Sequence, residues 1–166
     1  MKLKRIGIKI AALASVILAF SFMAGAQKKD PAKVKAMVES KNFVFVADYV
    51  NPQSMRSRSL TTSDYDLTIK PGEVISYLPY FGRAYSAPIN GEGGIKFTSK
   101  DFEYKLVKAK AHSWDISIKP RDADVQEMYL TVFDNGTASL NVNSNNRQSI
   151  SYRGYIVPGK EEKKAF

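Results

Sequence analysis

The sequence contains no cysteine. That excludes a disulfide scaffold, a Cys-ligated zinc site, an iron–sulfur cluster and a thiol nucleophile. It also excludes the lipid anchor that a lipoprotein gains on an N-terminal cysteine once its leader is cut. Histidine occurs once, at His112, so a zinc or iron site would have carboxylates alone to complete it. No H-x-x-x-H or H-x-E pattern is present. A serine triad would have His112 as its base, yet there is no G-x-S-x-G. Ser113, the next residue along a strand, points to the opposite face. His112 reads instead as a half-exposed residue at the start of a strand. We therefore expect no metal, no cofactor and no enzyme.

Long apolar runs are absent after the first 26 residues. Before that point, Lys2, Lys4, Arg5 and Lys9 make a basic start, Ile10 to Met23 is apolar, and Ala24-Gly25-Ala26 is a small-x-small cleavage pattern. This is the layout of a secretory signal peptide, and the apolar run is shorter than the roughly 20 residues of a spanning helix. The expected organisation is a signal over 1–26, a single β domain over 27–157 and a polar tail over 158–166. The expected location is periplasmic or secreted, with no membrane span after cleavage. The full chain has 25 basic and 16 acidic residues, net +9; without the four basic residues of the leader it has 21 against 16, net +5. Much of the basicity is thus an export signal, which removes most of the support for a nucleic-acid partner.

What remains is rich in strands. Asp30-Pro31 followed by "AKVKAMVESKN" predicts a short helix, with Asp30 as N-cap, Pro31 at the first turn and an apolar face of Val34, Met37 and Val38. From Asn42 the period becomes two. In "FVFVADYV", Phe43, Phe45, Ala47 and Tyr49 share one face, against Val44, Val46 and Val50. "DYDLTIK", "VISYL", "FEYKL", "SWDISIK", "VQEMYLTVF", "ASLNVN" and "ISYRGYIV" read the same way. Alternation of this kind marks antiparallel sheet with one wet face. Asn135-Gly136 is a hairpin signal with both turn positions at positive φ. Lys70-Pro71-Gly72-Glu73, Asn143 to Asn146 and the glycines Gly91, Gly93 and Gly94 mark further turns. The fold class is therefore all-β: an antiparallel meander of about eight strands closing into a barrel or strongly curved sandwich, with a short N-terminal helix. Two long loops interrupt it, Asn51 to Thr62 and Pro79 to Gly94.

Candidate chemistry is sparse. Asp64 and Asp66 share a face opposite Tyr65, Leu67 and Ile69, and read as a solvated strand face. Asp122 and Asp124 lie in a turn that lacks the glycine and terminal glutamate of an EF-hand. "GEGG" lacks the lysine of a P-loop. Arg56 and Arg58 are the best cluster of candidate anion contacts. The stretch "YLPYFGRAYSAP", Tyr77 to Pro88, gathers rings in a segment that two prolines bar from regular pairing. It reads either as a packed corner or as a binding surface. The candidate binding or interaction residues are Tyr77, Tyr80, Phe81, Arg83, Tyr85, Trp114 and Arg147. Rings with polar tips suit sugars and amphiphiles. The expected function is non-enzymatic binding of a small apolar or glycan-like ligand. The alternative is a structural or protein-interaction module of the cell envelope that uses the Tyr77–Pro88 loop as its contact surface.

"LPYFGRAY" (Leu78 to Tyr85), "GGIKF" (Gly93 to Phe97) and "NRQSISYRG" (Asn146 to Gly154) resemble the Bacteroidetes exported family catalogued as domain of unknown function 4251. "NFVF" and "YDLTI" also resemble its early strands, so the likeness runs from about Val38 to Ile156. Many members resemble lipoproteins with a cysteine after the leader; this chain has Gln27 there. The resemblance implies an exported single domain and carries no established activity.

Overall fold

A computed structural model of the chain describes residues 30–62, 64–85, 93–108 and 112–159. The expected signal over 1–26 lies outside them, as does the part of the expected tail beyond Gly159. The helix forms as its sequence signals direct. Helix α1 (Pro31–Ser40) begins with the Asp30 carboxylate accepting the Ala32 N–H at 3.0 Å, and ends at Lys41 in the left-handed region. Val34 and Val38 are fully buried, and the Tyr104 hydroxyl donates to the Val38 carbonyl at 3.3 Å. These contacts seat the helix on the sheet.

Ten antiparallel strands follow: β1 (Phe43–Pro52), β2 (Arg58–Ser59), β3 (Asp66–Lys70), β4 (Glu73–Leu78), β5 (Ile95–Ser99), β6 (Phe102–Lys108), β7 (Ser113–Pro120), β8 (Val125–Phe133), β9 (Thr137–Ser144) and β10 (Ile150–Pro158). Their order is β5-β4-β3-β1-β10-β9-β8-β7-β6, with β2 added to β1. The sheet curls into a nearly closed barrel. The expectation of about eight strands falls short by β2 and β5. β2 is a two-residue pairing of Arg58 and Ser59 with Val50 and Tyr49 inside the first long loop, too short to show a period. β5 follows directly on the Gly93-Gly94 turn and looks from sequence like the end of the second loop. β1 also extends to Pro52, which shortens the first loop.

Inward positions are mostly apolar; Ser76 and Ser99 are buried polar exceptions, and the Ser76 hydroxyl donates to the Ile95 carbonyl at 2.8 Å. Phe43, Phe45, Leu67, Ile69, Leu78, Ile116, Ile118, Met128, Leu130, Leu140, Ile150 and Tyr152 are the largest side chains the barrel swallows whole. Burial of this kind stabilises at roughly 25 cal/mol per Å² of apolar surface. The outer positions of β7 and β8 carry Asp115, Ser117, Lys119, Glu127 and Thr131. On β9 and β10 they are Ser139, Asn141, Ser151 and Arg153. Exposed rings stand among them, Tyr129 and Phe133 on β8 and Tyr155 on β10, so the outer face is mixed while the inside is dry.

Two local departures from simple alternation matter. β1 has a bulge: Ala47 pairs with Gly154 and Tyr49 with Arg153, so Asp48 is an extra residue. The bulge shifts the phase, so Val50 rather than Tyr49 continues the buried face of Phe43, Phe45 and Ala47. Tyr49 moves to the outer face, which corrects the simple alternation. At the β8–β9 hairpin, positive φ occurs at Gly136 alone. Asn135 instead accepts from the N–H and hydroxyl of Thr137 at 2.9 and 2.7 Å, an Asx turn rather than two left-handed residues.

Candidate functional site

The second long loop begins as a strap across one end of the barrel. After Leu78 the chain passes Pro79, whose carbonyl accepts the buried Tyr152 hydroxyl at 2.6 Å. Tyr80 then turns its hydroxyl to the carbonyls of Arg83 and Gln148, each at 3.0 Å. Ala84 bridges Arg147, and the Tyr85 N–H donates to the Asn146 carbonyl at 2.8 Å. Burial raises the hydroxyl pKa of Tyr80, partly offset by the Gln148 hydrogen bond and the Arg147 charge. Burial also pushes the Tyr152 hydroxyl far up.

Arg147 is the centre of this cluster. Its side chain is 12% exposed. The guanidinium donates to the Gly94 carbonyl at 2.5 Å, faces the Asp124 carboxylate at 3.7 Å and lies 5.4 Å from the Tyr80 ring centre. One side chain thus ties the β7–β8 turn, the β9–β10 turn and both ends of the second long loop. Arg83 differs: it is exposed, and its backbone makes the contacts, with its N–H 3.5 Å from Gln148 Oε1 and its carbonyl accepting from Gln148. Phe81 lies under the Arg58 guanidinium at 4.5 Å.

The expected site residues therefore divide. Tyr80, Phe81, Arg83 and Arg147 come together at this end of the barrel, and Tyr85 joins by its backbone with its side chain 72% exposed. Tyr77 stands outward on β4, stacked on Tyr65 at 6.1 Å with the Lys96 ammonium 4.6 Å from its ring centre. Trp114 is half-buried at the start of β7, packed against the core. Other candidates settle as ordinary structure. Asp64 precedes β3 rather than sharing its face with Asp66 and accepts from Thr62. His112 has a positive φ of 76° and pairs with Asp134 at 2.9 Å. Among the described residues, no group of His, Asp and Glu is placed to hold a metal ion.

A concavity lies on the outer face of the barrel. It is an open groove of roughly 770 Å³ over β1, β10 and β9, with Tyr49, Asn51, Phe133, Thr137, Ser139 and Arg153 among its walls and the backbone of Gly154 in its floor. The register explains it: Tyr49 lies beside Arg153, and Arg153 beside Ser139, all outward. Asp48 and Ser57 close the side nearest the first long loop.

The family model of a domain of unknown function, DUF4251, matches residues 26–156. The chain belongs to the DUF4251 family. A DUF4251 family protein from Bacteroides eggerthii DSM 20697, solved by crystallography, is similar in structure at 19% identity. The match has a TM-score of 0.61 and covers 77% of this chain and 87% of that one. At that identity the likeness shows the fold. No curated protein matches.

Sequence reasoning on this DUF4251 chain missed the groove. Its walls come from outward positions on separate strands, and pairing register is what joins them. The one readable signal was large rings at nominally wet positions, Phe133 among them. For Tyr49 even that was hidden, because the bulge decides its face.

Proposed function

We infer that this protein is a non-enzymatic binding protein of the cell envelope whose ligand is glycan-like, held in the outer groove. The observation that carries this is the composition of the groove: two rings, Tyr49 and Phe133, flank a row of hydroxyl, amide and guanidinium groups from Asn51, Thr137, Ser139 and Arg153. Sugars present apolar C–H faces to rings and hydroxyl edges to such groups. An apolar small ligand would want an enclosed apolar pocket, and the described strands fill the barrel with their own side chains. The strap has less to offer a partner, since Tyr80 and Arg147 already serve internal contacts. The envelope location rests on the leader-like N-terminal sequence.

The test is titration of the full-length protein with a panel of oligosaccharides, followed by calorimetry and backbone NMR. Binding should shift the amides of Tyr49, Ser139 and Arg153. Tyr49→Ala and Phe133→Ala should each weaken it about tenfold, the worth of one ring contact. Binding that survives both changes yet disappears with Tyr85→Ala would place the site on the strap and overturn the groove.

A further inference from the structure

We propose that the groove selects an acidic glycan, one carrying carboxylate, sulfate or phosphate groups. This deepens the glycan reading and rests on it. The observation is an asymmetry among the arginines. Arg121 faces Asp101 and Arg147 faces Asp124, each at 3.7 Å. Among the described residues, Arg56, Arg58, Arg83 and Arg153 face no carboxylate within ion-pair distance.

Arg153 lines the groove itself, beside Tyr49. Arg56 and Arg58 adjoin Ser57 in the chain; Ser57 lines the groove, while Arg58 pairs with the inward Val50. Arg58 lies on the Phe81 ring, two residues from Arg83. Gln148 clamps the two loops together, accepting from Ser54 Oγ at 2.8 Å and lying 3.5 Å from the Arg83 N–H. Five lysines elsewhere do the opposite. Lys35, Lys70, Lys100, Lys105 and Lys119 each face a glutamate.

The electrostatics favour an anion. A guanidinium is always charged and presents a flat fork of donors that matches carboxylate, sulfate and phosphate oxygens in pairs. A concave surface focuses the field of the charges that line it on whatever enters, and here these are Arg153 and, at the rim, Asp48. Asp48 is the single carboxylate in the lining. It is exposed, and its carbonyl is taken by the Leu60 N–H at 2.8 Å, which fixes the backbone of the first loop. Asp48 therefore offsets part of the cationic field at one rim, while Arg153 on the wall keeps its own.

The test uses the full-length protein and three probes of similar size: trigalacturonate, maltotriose and inorganic tripolyphosphate. Trigalacturonate is expected to bind at least about tenfold more tightly than maltotriose, as one charge-assisted pair would give. Its affinity should fall as salt rises. Arg153→Gln should remove most of the preference, Arg153→Lys should keep part of it, and Arg56→Gln with Arg58→Gln should reduce the salt dependence. Equal binding of the neutral and acidic sugars, or a preference untouched by Arg153→Gln, overturns the acidic selection and leaves the glycan reading standing. Tripolyphosphate binding as well as trigalacturonate, indifferent to Tyr49→Ala, overturns it in favour of a site for bare charge. Failure of both sugars to bind removes the glycan reading and this inference together.

Discussion

A β-carbon on Gly154 would stand 1.8 Å from the carbonyl oxygen of Val46. No side chain fits there, and the neighbour is backbone. Gly154 pairs with Ala47 at the edge of the β1 bulge, where the strand bends and changes phase. A glycine inside a strand commonly marks such an approach. The bend exposes Tyr49 and buries Val50, so this glycine also sets the wall of the groove. Gly154→Ala is expected to destabilise the protein by about 3 kcal/mol or more, because two backbones must separate. Urea unfolding followed by circular dichroism measures it. Gly93→Ala, where an added β-carbon meets nothing within 4 Å, is the control and should change stability by less than about 0.5 kcal/mol.

Arg147 is the pivot of the strap, and its removal leaves the partly buried Asp124 carboxylate and the Gly94 carbonyl without it. Breaking a fully buried pair costs about 3–5 kcal/mol; with Asp124 29% exposed, Arg147→Met should cost about 2 kcal/mol. Hydrogen exchange should show where. The Tyr85 and Gln148 amides, which hold the strap to the β9–β10 turn, should exchange faster, while those of the β8–β9 ladder should not. Uniform acceleration over the whole barrel would contradict a local role.

The sequence made the scaffold legible and left the site hidden, for physical reasons. Helix α1 announces itself because its signals are local: Asp30, Pro31 and the spacing of Val34 and Val38. The long strands show because period two survives wherever one face is wet. β2 and β5 did not, being too short or too close to glycine turns to establish a period. The cluster "YLPYFGRAY" was readable as aromatic, but not which of its groups would bond. Arg83 and Arg147 are both candidates from the sequence, yet Arg83 makes its contacts through its backbone, and the largely buried guanidinium is that of Arg147. The groove depends on a one-residue bulge and on register across β1, β10 and β9, and neither leaves a mark on the individual strands.

The N-cap offers a simple check on the helix. Asp30 satisfies the Ala32 N–H at the helix start, a group that otherwise lacks an intrahelical partner. Asp30→Ala is expected to cost about 1 kcal/mol, and Asp30→Asn to restore most of it. Both are read as shifts in the urea midpoint at constant slope.

Alkaline pH should loosen the join between helix and barrel through Tyr104. Burial pushes its hydroxyl pKa up to about 12, from an ordinary 10.0. The unfolded chain therefore gives up this proton first. The stabilisation is complete below pH 10 and is lost as pH rises from there through about 12. Burial moves Tyr152 and Tyr80 in the same direction, so the decline is shared. With the exposed edge of the ring screened by solvent, the Tyr104 share is on the order of 1–2 kcal/mol. Tyr104→Phe loses the hydrogen bond to the Val38 carbonyl and should cost about 1 kcal/mol at neutral pH. It has no proton to lose, so its stability should fall less steeply above pH 10. The wild-type and variant curves should converge in alkali; curves that stay parallel would show that this hydroxyl titrates alike in the folded and unfolded chains.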